Sequence, residues 1–449
     1  MELTVFLVLF YSIYQIKTRS IADAAVNVYL PAFLLIPSFY GLKLPHLPGL
    51  DFGGAALIPI VVTILVRHWR EWKLQRADLW MALFFGGSYY SELSHSGASN
   101  AGLLFANSVI AGGLPYILGK MLLEQEGVRE RFARRYVYIV AFIAVVSIWE
   151  FRMGHDLFTT VANFILRENQ GWIGQGRNGF IRIAGPFVGA IMAGTMFSIA
   201  WLFSMWLGVL DKSRGNEPKY WGLWRSTILS LAIAGGVLMT LSRGPIIGTI
   251  LGYMVARIGK AKKMGRAAII TFFLIAIGGT IAYIKIQQYA TADYWSAPTV
   301  EQQTAIYRRQ LLDNYKPIVE KGGLFGYGVV DRPSVDGQYS IDNAYLYFQL
   351  TQGSLGLWTF VLLGLESLLA VFLAVRRLTQ RVDIYFALCV GGGMAGFLLS
   401  LTSVYLGGPM YPLFFLLAGW SQSLHQTQSV GVTLPQPVST RFSFRRVIA

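Results

Sequence analysis

The stretch Ile228–Val255, "ILSLAIAGGVLMTLSRGPIIGTILGYMV", decides how the whole chain is read. It is apolar on both sides of one short element, Ser242–Pro245, and Arg243 is its single charge. Crossing a hydrocarbon core about 30 Å thick takes about 20 apolar residues of helix. The stretch is too long for one crossing, so it reads as two, joined by a very short turn at Arg243. An ionisable side chain at such a place is costly in lipid and is a functional-site hypothesis by default.

Similar runs recur along all 449 residues. The chain is 54% hydrophobic and only 14% charged, with a mean hydropathy of +0.49. A soluble protein would carry about 25% charged residues. We expect about thirteen spans, near 2–16, 22–38, 52–66, 79–91, 101–119, 136–150, 183–209, 224–240, 244–256, 267–286, 354–375, 384–404 and 408–425. The first run lacks a basic leader and a small-residue cleavage site, so it reads as a retained span. The single cysteine, Cys389, excludes an internal disulfide. The expected fold class is an all-α integral membrane protein.

Alternate connections carry the basic residues: "KTRS" from Lys17, "RHWREWKLQR" from Arg67, Lys120–Arg135, Lys212–Arg225, "RIGKAKKMGR" from Arg257, "RRLTQR" from Arg376, and the tail "RFSFRR". This alternation places the basic set in the cytoplasm and the amino terminus outside. The formal charge of +15 is therefore a topogenic signal with an attraction to anionic lipid. Nucleic acid is not needed to explain it.

The organisation follows: 1–150, N-terminal spans; 151–182, an external loop; 183–286, spans with the Arg182 and Arg243 elements; 287–340, a long external loop; 341–425, C-terminal spans; 426–449, a flexible cytoplasmic tail. Loops this long are usually functional. In the second, Ala305, Ile306, Leu311, Leu312, Tyr315, Ile318 and Val319 recur at helical spacing. They predict an amphipathic helix, kinked at Pro317 and stopped by Gly322-Gly323.

Four polar sites lie on the side depleted of basic loops: Arg182, Arg243, Arg308 on the amphipathic helix, and the Asp342-Asn343 pair. Capping of a helix by Asp342 is the plain alternative for the last, and lipid-phosphate contact is the plain alternative for the arginines. Guanidiniums at a lipid–water boundary suit a lipid-linked phosphate or pyrophosphate, because Arg binds oxyanions bidentately and keeps its charge. They would stabilise charge growing on a pyrophosphate leaving group, and a carboxylate could take the proton of an attacking hydroxyl. Gly185, Gly244, Gly326 and Gly328 would let backbone and ligand approach closely. There is no Walker loop, no His pair at metal spacing and no Asp-x-Asp cluster, so neither a metal nor a cofactor is expected.

With these pieces in view, the chain resembles the superfamily of O-antigen ligases and Wzy-type O-antigen and exopolysaccharide polymerases. The resemblance rests on "RIAGPF" (Arg182–Phe187), "SRGP" (Ser242–Pro245), a long loop running from Arg308 to the "GLFGYG" turn ending at Gly328, and "DNAYLYFQLTQGSLGL" from Asp342. It implies a fold related to the membrane GT-C class and a metal-independent, inverting glycosyltransferase. Such an enzyme moves glycan from undecaprenyl pyrophosphate to a hydroxyl at the periplasmic face of the bacterial inner membrane. Arg182, Arg243 and Asp342 would be catalytic; Arg308, Asn343, Ser242, Tyr345, Gly326 and Gly328 would bind substrate. Partners implied are the lipid-linked oligosaccharide, a glycan acceptor, membrane lipid and a chain-length regulator. Ligases carry His where this chain has Asp342, which favours a polymerase, with a ligase as the alternative. A transporter of an anionic or lipid-linked solute is more remote, because no internal repeat is visible.

Overall fold

The computed structural model describes residues 3–168, 171, 174, 176–177, 179–291, 299–338 and 340–426. Beyond Gln426, the expected tail lies outside the described residues. A helix lies over each expected span: α1 Thr4–Thr18, α2 Ile21–Leu35, α3 Phe52–His68, α4 Arg76–Ser96, α5 Ala98–Met121, α6 Val128–Met153, α8 Ala190–Ser213, α9 Arg225–Met239, α10 Arg243–Arg257, α11 Met264–Tyr289, α13 Ala344–Arg377, α14 Arg381–Ser400 and α15 Met410–Gln426. Among the described residues, two further α-helices lie between spans: α7 Leu157–Leu166 and α12 Val300–Lys321.

Sheet is confined, among the described residues, to three antiparallel two-residue ladders. These pair β1 Gly41–Leu42 with β2 Leu50–Asp51, β3 Gly176–Arg177 with β4 Phe180–Ile181, and β5 Lys219–Tyr220 with β6 Leu223–Trp224. Among the described residues, seven helices are long and apolar enough to cross a membrane. This is an all-α membrane protein.

The connections interlock at the two ends of the bundle. At the basic end, Arg134 and Arg225 both grip Asp211 at 2.8 and 2.7 Å, and Arg129 reaches Asp383 at 2.6 Å. Lys120 is buried against Asp78, which also accepts from the Tyr116 hydroxyl at 2.7 Å. At the opposite end lie β1–β2, α7, β3–β4, α12 and the turns before α13 and after α14.

Three expected starts move by seven residues or more. The sixth span, expected from 136, begins at Val128, because the helix runs on through the basic stretch before the apolar run. The seventh span, expected from 183, begins at Ala190, because Gly185 at φ +55° turns the chain away from helix. The eleventh, expected from 354, begins at Ala344 and breaks at Gly353 (φ 65°, ψ −161°). The apolar run that announces a span covers only the half beyond the break. The amphipathic helix is present as α12, with Pro317 inside it. It buries Ile306, Leu311, Tyr315 and Val319, whereas Leu312 is 48% exposed. Leu311, Tyr315 and Val319 pack on Leu346 and Leu350 at the head of α13.

Glycines set how closely the central helices approach. A Cβ on Gly248 of α10 would stand 2.6 Å from the Gly396 carbonyl of α14, and one on Gly252 would stand 2.8 Å from that of Gly392. Both helices thus present a Gly-x-x-x-Gly face, the pattern that lets backbones meet in lipid. By contrast α11 has no buried residue, and nothing lies near its Gly278 and Gly279. Gly248→Leu should therefore destabilise the protein by about 1–3 kcal/mol through overpacking, while Gly279→Leu stays near neutral. Thermal unfolding of the detergent-purified variants compares them; equal melting would contradict close α10–α14 packing.

Candidate functional site

The site is built from three segments that leave the helices at one end of the bundle. The first is β3–β4 and its continuation, Gly176–Gly189. Glu150, in the last turn of α6 and 3% exposed, points its carboxylate at this segment. It accepts from the N–H groups of Ala184 and Gly185 at 2.9 and 2.8 Å. Gly185 tolerates its positive φ only as glycine, and a Cβ there would also press on Ser147 Oγ at 3.1 Å. The bend after Arg182 is fixed by these contacts.

The second segment is the turn between α9 and α10. Ser242 occupies the cap position of α10, yet its side chain makes no capping bond. The physical reason is Pro245, which sits where the third helical N–H would be and has none. The Ser242 hydroxyl is therefore available. It donates to the Thr240 carbonyl at 3.0 Å and accepts from Arg182 Nη2 at 2.7 Å. Arg182 Nε donates to the Thr240 carbonyl at 3.1 Å, and Arg177 Nη1 donates to the Leu241 carbonyl at 2.8 Å. Leu241 is in the left-handed region at φ +48°, a strained conformation for a branched residue that tends to be retained where it serves a site. Arg243 itself is exposed at the first position of α10. There the first N–H groups lack intrahelical acceptors and the helix dipole is positive.

The third segment joins α12, the head of α13 and the turn after α14. Arg308 is half-buried and donates from Nη2 to the Ser403 carbonyl at 3.2 Å; its Nε is buried with no partner among the described residues. Gly244 faces the same residue: a Cβ there would lie 2.7 Å from Ser403 Oγ. The next carbonyl, Val404, accepts from the Ala344 N–H at 3.0 Å, which ties the head of α13 to this turn. Asp342 accepts from Ser340 Oγ at 2.7 Å. The cap of α13 is Asn343, whose Oδ1 accepts from the Leu346 N–H at 3.1 Å. Capping thus accounts for Asn343 and leaves Asp342 outside the helix.

Electrostatics join the segments. The Arg182 guanidinium is pushed down to about 10 by burial, then by Arg177 and Arg308. Burial also lowers Arg308, with Asp342 opposing and Arg177 and Arg243 adding to the effect. Burial, with the Asp342 carboxylate beside it, pushes the Tyr405 phenol up. Four guanidiniums and one carboxylate share one electropositive neighbourhood that could hold a multivalent oxyanion.

Arg182, Ser242, Arg243, Arg308 and Asp342 therefore come together. Tyr345 is half-buried and donates its hydroxyl to the Leu398 carbonyl at 2.8 Å, tethering α13 to α14. Gly326 and Gly328 sit elsewhere, in the loop that clamps the α13 break. Tyr327 and Gly328 N–H groups bond the Leu350 and Thr351 carbonyls at 3.0 Å, and those of Ser354 and Leu355 bond Gly323 and Leu324 at 3.1 and 3.0 Å. Sequence reasoning missed Arg177, Glu150 and Tyr405. The dipeptide Asn178-Gly179 is a strong hairpin signal and would have placed Arg177 in a ladder leading to Arg182; nothing local marks Glu150.

Compared with known proteins, the chain matches no family model and no curated protein.

Removing the Glu150 carboxylate should loosen the Arg182 segment. Glu150→Leu leaves two buried N–H groups unpaired, at about 1–3 kcal/mol each, and Glu150→Gln, which keeps one acceptor, should fall between. Melting of the purified variants should rank wild type, Gln, Leu; unchanged melting of Glu150→Leu would remove this anchor from the account.

Proposed function

We propose that the protein is a membrane glycosyltransferase of cell-envelope polysaccharide synthesis, of the O-antigen polymerase and ligase kind and of GT-C-related fold. It transfers glycan from undecaprenyl pyrophosphate, with inversion, to the terminal sugar of another lipid-linked repeat unit. The observation that carries the reading is the meeting of Arg177, Arg182, Arg243 and Arg308 with Asp342 around Ser242 and Ser403. These residues come from segments far apart in the chain.

In this reading Arg182 and Arg243 hold the pyrophosphate, helped by the exposed N-terminus of α10. They oppose the negative charge that grows on it as the glycosidic bond breaks. Arg308 and Arg177 complete the electropositive wall. Asp342 faces the acceptor hydroxyl and accepts its proton or orients it. Protein groups alone perform these steps, so no metal or cofactor is required. The basic connections at the opposite end support an orientation with the site on the periplasmic face of the bacterial inner membrane. Aspartate at 342 favours a polymerase; a ligase transferring to lipid A-core is the alternative.

Arg182→Ala, Arg243→Ala and Asp342→Ala should each abolish elongation while inserting normally. Arg243→Lys should retain a fraction, because Lys keeps the charge but not the bidentate fork. The assay incubates purified protein with an undecaprenyl-pyrophosphate repeat unit and resolves products on a gel. A ladder from donor alone supports the polymerase, and product only with lipid A-core supports the ligase. Full activity of Arg243→Ala would sink the mechanism.

A further inference from the structure

A cavity of about 480 Å³ contains none of the four arginines. It lies between α2, β1–β2 and the head of α3, the middle of α5, the first half of α13, the head of α15 and the 401–409 turn. That turn separates the two places. Its start gives the Ser403 carbonyl to Arg308, while Leu406–Pro409 line the cavity.

The lining has a definite chemistry. Among the described residues its only charged ones are Lys43 and Asp51, one of each sign. Two deeply buried side chains on the wall hold oxygens with no partner among the described residues: the Tyr29 hydroxyl and Gln352 Oε1. Tyr29 is 1% exposed and Gln352 6%. Asp51 Oδ1 caps α3 by accepting from the Gly54 N–H at 2.6 Å, leaving the other carboxylate oxygen for a ligand. Asn107 Oδ1 accepts from the Gly49 N–H at 2.9 Å, which turns its amide donors to other use. Aromatic surface completes the wall: Phe33, stacked on Tyr29 at 5.6 Å, and Tyr411.

A cavity with unpaired acceptors, an amide donor, one carboxylate and aromatic faces, but no cationic cluster, does not suit phosphate. Its hydrogen-bonding groups match hydroxyls, and its aromatic faces match the apolar C–H faces of a pyranose ring. Pockets of this size hold small organic ligands by a few convergent polar groups on an apolar wall. We propose that this cavity is a saccharide site that receives uncharged, hydroxyl-rich sugar units, with Tyr29, Asp51, Asn107 and Gln352 reading their hydroxyls. The identity of the ligand rests on the glycosyl-transfer reading. The arginine cluster then handles the charged portion of a substrate, and the cavity handles a neutral one.

The test measures binding without turnover. The probe is the neutral oligosaccharide released by mild acid from the lipid-linked envelope glycan of the source cells, with inorganic pyrophosphate as the contrasting probe. Saturation-transfer NMR on the detergent-purified full chain reads both. Asp51→Asn keeps the helix cap, since Asn caps as well as Asp. Tyr29→Phe keeps the packing and removes only the hydroxyl. We expect each to weaken oligosaccharide binding about 5-fold or more, and the pair about 30-fold, with pyrophosphate binding and melting temperature unchanged. Arg243→Ala should do the reverse. Oligosaccharide binding that survives the cavity variants, or is absent from wild type that still elongates glycan, overturns the saccharide site and leaves the transferase reading standing. Binding lost in the cavity variants, in a protein that makes no product from donor with or without acceptor, supports the site and removes the transferase reading.

Discussion

A backbone that leaves the helix within or beside a membrane must find partners for its N–H and C=O groups, because lipid supplies none. That constraint organises one end of this protein. Glu150 receives the N–H groups of Ala184 and Gly185. Arg182 and Arg177 take the carbonyls of Thr240 and Leu241. The carbonyls of Ser403 and Val404 go to Arg308 and the Ala344 N–H. The same bonds that satisfy the irregular backbone also aim the guanidiniums, so the satisfaction of the chain and the construction of the site are one arrangement.

The break in α13 obeys the same rule by other means. Gly353 interrupts the helical ladder, and the loop Gly323–Gly328 supplies the missing partners on both sides of the interruption. A Cβ on Gly326 would stand 2.5 Å from the Gly353 N atom, so the two glycines are required by the closeness of two backbones. Beneath the loop, Glu92 accepts from the Val329 N–H at 2.5 Å and Ser91 Oγ accepts from that of Gly328 at 3.0 Å. The clamp fixes the direction in which the head of α13 carries Asn343 and Asp342 toward the arginines.

What could be read in advance follows from the range over which each signal acts. Span positions are set by runs of about 20 apolar residues, so hydropathy locates them within a few residues. It errs at Val128, where the helix continues through basic residues, at Ala190, where Gly185 delays the helix, and at Ala344, where an Asn343 cap starts a helix ahead of the apolar run. Arg243 and Arg182 stand out because charge is rare in such runs. Arg308 could be placed on a helix, on a face shared with Ala305, Leu312 and Tyr315, but of these Tyr315 is buried and Leu312 points outward. Glu150 resembles any acidic residue at a span end. Its role depends on a partner 34 positions away, and no local periodicity encodes such a pairing. The cavity was equally hidden: Tyr29, Asp51, Asn107 and Gln352 look like scattered polar residues until α2, α3, α5 and α13 are brought together.

Bringing the arginines together is itself costly, and the direction of that cost bears on what the site is for. Burial and the neighbouring Arg177 and Arg308 hold Arg182 down near 10, so the folded state disfavours its charge relative to the unfolded chain. The penalty is present in full below that value and is relieved only as pH rises from about 10 toward the ordinary arginine range. At neutral pH proton loss therefore offers Arg182 no escape, and its guanidinium remains charged. Asp342 opposes the effect on Arg308 but is one carboxylate beside several cations. A multivalent anion seated among them would relieve the same repulsion without any change of protonation. The cluster thus favours an anion among its guanidiniums while Arg177, Arg182 and Arg308 also hold the backbone carbonyls of Leu241, Thr240 and Ser403.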